Sequence, residues 1–201
     1  MKTKFFFLVF GVFAGLIIIF AAKYLSSNYY TYQGSLIDPP VQAVDFTLLD
    51  QNSQPFRLSE QKGKINLIFF GYTNCQDVCP VTLAQFKKIK DDLKQDSQNV
   101  QFIFITVDPD RDNPSRIKSY LANFDPTFIG LTEDTASLEQ VWKDYGVYQS
   151  IQATSGTDDI VVDHTTRIFL VDSQGNWRLT YPFSVETSNI VNDIHHLIDE
   201  G

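Results

Sequence analysis

Ile65-Asn66-Leu67-Ile68-Phe69-Phe70, followed by Gly71-Tyr72-Thr73-Asn74-Cys75-Gln76-Asp77-Val78-Cys79-Pro80, sets the architecture of this chain. The first six residues are apolar except for Asn66, the pattern of a strand buried on both faces. Gly71 to Val78 reads as a loop. Pro80 is acceptable only in the first turn of a helix, where its missing N–H costs nothing. Leu83, Phe86, Ile89, Lys90 and Leu93 then recur at helical spacing to about Lys94. The stretch is therefore a buried strand, a loop holding two cysteines, and a helix.

Working outward, the same alternation continues. Val100 to Val107 is a second buried strand. Asp108-Pro109-Asp110-Arg111-Asp112-Asn113-Pro114 is a loop, and Pro114 opens a helix to about Asn123. Phe128 to Leu131 is a short strand and Thr135 to Tyr145 a helix. Gly146 to Asp163 is irregular, with room for a hairpin. Thr166 to Val171 and Trp177 to Tyr181 are strands joined by Ser173-Gln174-Gly175-Asn176, and Ser188 to Ile198 is a last helix. Upstream, Phe46 to Leu49 and Phe56 to Leu58 flank the turn signal Asp50 to Pro55, an additional N-terminal hairpin. Strands alternating with helices, then a hairpin, predict an α/β sheet covered on both faces. There is no internal repeat and no low-complexity tract.

The chain has 201 residues, enough for one full core. Hydrophobic residues are 43% and the chain has 17 Phe, a globular composition. Formal net charge is -8. Setting aside Lys2, Lys4 and Lys23 leaves 13 basic against 24 acidic residues, or −11 for residues 24 onward. Such a surface repels phosphate, which argues against a nucleic-acid partner. Its acidity suits a soluble domain, or a cationic partner.

Phe5 to Ala22 is an uncharged run that reaches about 27 Å as a helix, close to the thickness of a bilayer core. Lys2 and Lys4 precede it, which places the short tail in the cytoplasm and the remainder on the exported side. The run is long for a signal peptide, and Phe20-Ala21-Ala22 is not a cleavage pattern. No cysteine follows closely, so a lipidated-cysteine anchor is not expected. The expected organisation is a transmembrane signal anchor over residues 1–23, a polar, Tyr-rich tether over 24–40, and a domain over 41–201. The short N-terminus carries no Arg-rich transit segment, which favours a bacterial cytoplasmic membrane.

Only Cys75 and Cys79 are present. A disulfide between them would close too small a loop to stabilise much, so the pair asks for a chemical explanation. Backbone N–H groups at a helix start favour negative charge, and a thiol placed there should ionise readily. A thiolate both binds soft metals and attacks disulfides, so the motif supports either chemistry. Three residues between the cysteines, rather than two, relax the loop for a shared ion while still permitting a disulfide. His164, in Asp163-His164-Thr165, precedes a predicted strand, and taken singly it is a structural histidine. Joined to the two sulfurs it would complete a soft site suited to three-coordinate Cu(I), or to Cu(II) with an added ligand. Zinc would want a fourth protein ligand, and none is evident. Asp77 and Asp163 are candidates to orient a ligand by hydrogen bonding, or are solvated loop acids. His195 and His196 are adjacent on a helix, point to different sides and read as surface or packing residues. Asp108 to Asp112 lacks the Gly and distal Glu of a calcium loop and reads as turn and cap. No Ser-His-Asp elbow, Walker loop or dinucleotide fingerprint occurs.

Gly71 to Pro80, Thr106-Val107-Asp108-Pro109-Asp110-Arg111-Asp112 and Asp163-His164-Thr165, in that order, resemble three signature blocks of the Sco/SenC family. The resemblance spans about residues 41 to 198. It implies a thioredoxin-like fold with an extra N-terminal β-hairpin, preceded by a single transmembrane helix. It also implies copper ligation by Cys75, Cys79 and His164, in a periplasmic copper chaperone that assists maturation of the CuA site of cytochrome c oxidase subunit II. Another copper protein is an alternative recipient, and a periplasmic copper donor or thiol reductant is an expected partner. The competing reading is a thiol–disulfide reductase that keeps the CuA-site cysteines reduced. A reductase needs only the cysteine pair, whereas a metallochaperone needs the imidazole. Thioredoxin-like reductases usually place a cis-Pro before the strand corresponding to Thr166–Val171; no Pro lies between Pro126 and Pro182, which favours metal binding over enzymatic turnover. A peroxidase would want a Thr/Cys/Arg constellation that is absent. Two positions depart from the family pattern. Gln76 stands where Pro is usual and loosens the apo loop, and Asn74 stands where His is frequent. Neither removes a ligand.

Overall fold

The computed structural model describes residues 11, 13, 15–20, 30–153, 160–164 and 166–200, without the side chains of 149–153 and 160–164. The chain divides into two units, Met1–Thr31 and Tyr32–Gly201. In the first, residues 15–20 are helical. No helix among the described residues is long and apolar enough to cross a membrane. Most of the Phe5–Ala22 run lies outside the described residues.

The second unit is an eight-stranded sheet in the order β1-β10-β9-β4-β5-β6-β2-β3, with a separate β7-β8 hairpin. Its strands are β1 (Ser35–Gln42), β2 (Thr47–Asp50), β3 (Pro55–Arg57), β4 (Ile65–Gly71), β5 (Val100–Thr106), β6 (Ile129–Thr132), β7 (Gln149–Ala153), β8 (Ile160–His164), β9 (Arg167–Val171) and β10 (Asn176–Pro182). The helices are α1 (Val78–Leu93), α2 (Pro114–Leu121), α3 (Thr135–Asp144) and α4 (Thr187–Glu200).

β4 is buried along its whole length because it is central. It pairs in parallel with β5, from Ile65↔Val100 to Gly71↔Thr106, and antiparallel with β9. A β4-α1-β5 crossover followed by the β9-β10 hairpin and α4 gives the mixed, thioredoxin-like core order β10-β9-β4-β5. The expected hairpin is β2-β3, with Thr47↔Arg57 and Leu49↔Pro55, joined to the sheet through β6. Gly175 takes φ +89 in the turn between β9 and β10, a conformation that demands glycine.

Adjacent strand residues face opposite sides, so Phe69 and Phe70 mark the two cores. The Phe69 ring meets Phe86 of α1 and Phe104 of β5. Phe70 meets Tyr145, at the end of α3, and Phe169. Both faces are thus covered, as the buried run of β4 requires.

One boundary differs from the sequence reading. Ser35–Pro40, taken there as the end of a tether, belongs to β1, which pairs with β10 from Ser35↔Thr180 to Gln42↔Asn176. The pairing shifts register between Leu36 and Val41, across Pro39-Pro40, and an edge strand tolerates proline there. Asp193 of α4, fully buried, holds the entry to β1. Its carboxyl accepts the N–H groups of Gln33 and Gly34 and the hydroxyl of Tyr181.

Candidate metal centre

The register Gly71↔Thr106 places the loops after β4 and β5 side by side at one edge of the sheet, and the Val107 N–H donates to the Gly71 carbonyl at 2.8 Å. β9 runs antiparallel, with Phe69↔Ile168, so its start lies at that same edge. Two of the three signature blocks therefore converge through strand register, and the third leads into β9.

Cys75 precedes α1 and is half-buried; Cys79 is in the first turn and is buried; neither is in a disulfide. The Cys79 N–H points at the Cys75 sulfur at 3.4 Å. The helix-end donor thus serves Cys75, the sulfur nearer solvent. The Cys79 thiol is pushed far above the ordinary range. Its hydrogen bond with Cys75 is the chief cause, followed by burial and the charge of the neighbouring sulfur; a backbone bond from Tyr72 offsets only part of this, and Asp112 adds to the rise. The expectation that a thiol at this helix start ionises readily fails for Cys79, because its hydrogen bond with Cys75 and then its burial oppose ionisation.

Gly71 is required by this arrangement. A Cβ there would lie 2.9 Å from the Cys79 sulfur and 2.9 Å from the rings of Phe69 and Phe104. The sulfur therefore rests directly on the backbone of β4, on the Phe69 face.

The second block is the support of the first. Asp112 is completely buried. Its carboxyl accepts the Thr73 N–H at 2.9 Å, the Thr73 hydroxyl, and the Thr106 hydroxyl at 2.8 Å. Arg116 of α2 donates to the Thr73 hydroxyl at 2.7 Å and lies 3.8 Å from Asp112. Asp112 itself is held by its N–H to the Asp108 carbonyl and its carbonyl to the Thr132 hydroxyl. Arg111 pairs with Asp108 and sits 5.9 Å over the Tyr72 ring. The loop expected to turn does so, with the Arg111 and Asp112 N–H groups donating to the Asp108 carbonyl; it is also a latch on the cysteine loop, and the cap of α2 is Asn113. Asp112, Thr73 and Arg116 were not singled out in the sequence. The only available signal was the order of the two blocks, since the contact depends on a register that no local pattern encodes.

Asp77 is exposed and makes no side-chain bond to the helix end. His164 is the last residue of β8, opposite Gln149, and Asp163 is opposite Ser150. The side chains of both lie outside the described residues. His195 pairs with Asp96 at 3.0 Å and His196 with Glu200 at 3.1 Å, the surface roles expected of them. Two reduced cysteine sulfurs one helical turn apart, one half-buried and one buried, form a donor set suited to a soft cation or to reversible disulfide formation.

Comparison with known proteins places this geometry in a family. The SCO1/SenC family profile matches residues 36–199. An SCO2-like protein of Rickettsia felis is 37% identical over 136 residues, covering 66% of this chain and 65% of that protein. The chain thus spans slightly under two thirds of that relative's length. Among solved structures, Bradyrhizobium japonicum ScoI with copper bound aligns with a TM-score of 0.72 and 36% identity, over 78% of this chain and 99% of that one. The solution structures of apo Sco1 from Thermus thermophilus align with a TM-score of 0.75 and 34% identity, over 85% and 99%.

Proposed function

The chain belongs to the SCO1/SenC family, and from that premise we propose that it is a copper chaperone whose cargo is held by Cys75, Cys79 and His164. The observation that carries this reading is the sulfur pair: two thiols at the start of α1, not joined in a disulfide, with a backbone N–H of one aimed at the sulfur of the other. Two thiolates and an imidazole suit Cu(I) in three-coordination and Cu(II) with one added ligand. The copper-bound relative from Bradyrhizobium japonicum supports the choice of metal. The recipient in this reading is the CuA site of oxidase subunit II, or another copper protein, with delivery on the exported side of the membrane.

A second reading, thiol–disulfide reductase, is favoured by the unequal exposure of the two sulfurs. The accessible Cys75 thiolate would attack a partner's disulfide and release one partner thiol. Cys79 would then resolve the mixed disulfide, leaving a Cys75–Cys79 disulfide and two reduced partner cysteines. Copper titration of the wild type, both Cys→Ser variants and His164→Ala separates the readings when paired with a reductase assay on an oxidised subunit II peptide. A chaperone needs all three residues. A reductase survives His164→Ala unchanged.

The Phe5–Ala22 run anchors the chain in this account, with residues 41–201 exported. The full chain should stay with membranes through alkaline carbonate washing. Release into the soluble fraction would refute the anchor.

A further inference from the structure

Tyr120 of α2 carries a hydroxyl that no described residue uses. The oxygen is shut off from solvent and has no hydrogen-bond partner among the described residues. A buried hydroxyl left unpaired is costly, and such orphans are rare enough to require a reason. The position of the ring supplies one. It packs on Phe104 of β5, centroids 6.1 Å apart, and on Phe124 at 5.5 Å. Phe104 is the ring that, with the Cys79 sulfur, closes over Gly71. Because Phe69↔Phe104 and Gly71↔Thr106 are paired, Phe104, Thr106, Gly71 and the sulfur above it share one face of the sheet. The phenol lies on that face.

Polar groups on that face include the Cys79 sulfur over Gly71 and the Asp112 carboxyl bound to Thr106. Asp112 is not its acceptor, since the Tyr120 hydroxyl makes no hydrogen bond to any described residue. The sulfurs remain. A neutral thiol is a weak acceptor, whereas a charged sulfur is a strong one.

We propose that Tyr120 is a positioning residue of the metal centre, whose O–H donates to the Cys79 sulfur once that sulfur is a metal-bound thiolate. The hydroxyl is an unused donor in the thiol state and a used one in the loaded state, so it favours loading without contributing a ligand. This inference rests on the copper-binding reading above.

The test is Tyr120→Phe in the full chain, which keeps the ring and deletes only the oxygen. Three quantities are read: Cu(I) affinity by competition with a chromophoric chelator, the sulfur-to-Cu(II) charge-transfer band, and the melting temperature of the metal-free protein. Loss of a bond to a charged sulfur should lower Cu(I) affinity about tenfold. It should also shift the band to lower energy, because an unbonded thiolate is easier to oxidise. The metal-free melting temperature should hold or rise, since the deleted oxygen has no partner there. Equal affinity and an unmoved band in a wild type that does bind copper would overturn the role of Tyr120 alone. A weakened affinity accompanied by a lower metal-free melting temperature would also overturn it, by assigning the residue to packing. A wild type that binds no copper would instead remove the reading beneath it.

Discussion

The two cysteines differ more as residues than their spacing suggests. Cys75 faces solvent over a helix end, while Cys79 is pressed between β4 and α1 against the Gly71 backbone. The Cys79 thiol keeps its proton because its hydrogen bond with Cys75, its burial and the adjacent sulfur all oppose ionisation. Metal binding must displace that proton. Its folded-state pKa is raised, so acid opposes loading, and Cu(I) affinity should climb with pH throughout the neutral range. The expected slope approaches tenfold per pH unit for each proton displaced. Chelator competition at several pH values checks it, and a flat profile would mean that Cys79 is not a ligand. The sequence reveals this thiol pair and its place at a helix start, but not the inequality, which arises from tertiary packing. Gly71 is legible only as a loop boundary, although its lack of a side chain is what admits the sulfur.

At the scale of elements, the cysteine loop is held from outside itself. Asp112, four residues past Asp108 in a loop that follows a different strand, supplies the bonds that fix Thr73. Asp112→Ala strands the Thr73 N–H and both threonine hydroxyls in the interior. It should cost about 3 kcal/mol of stability and speed labelling of Cys79 by a thiol reagent severalfold in the metal-free protein. Denaturant melts and timed alkylation measure the two effects; unchanged Cys79 labelling would show that the latch does not govern the loop. Local pattern suffices for β4, β5 and α1 because each is marked by its own hydrophobic period. It fails for the latch and for β1. Ser35-Leu36-Ile37-Asp38-Pro39-Pro40 has the composition of a linker, yet it is a strand because β10 offers it an edge and Asp193 fastens its entry. Neither partner is near it in sequence.

At the scale of the whole molecule, a thioredoxin-like sheet brings the loops after β4 and β5 to one edge and starts β9 beside them. The order of three short blocks is enough to read that fold and to name Cys75, Cys79 and His164 as a set. His164 is the least local member, since β8 pairs with β7 in a sheet separate from the main one. The account stands on those three residues acting as one centre. The most direct measurement is therefore Cu(I) titration of the reduced full chain, wild type against His164→Ala and each Cys→Ser variant, in competition with a chelator. The account predicts one copper per chain in the wild type, affinity lowered by tenfold or more in His164→Ala, and loss of the site in either cysteine variant. Equal affinity in the wild type and His164→Ala would contradict it and leave a dithiol redox protein.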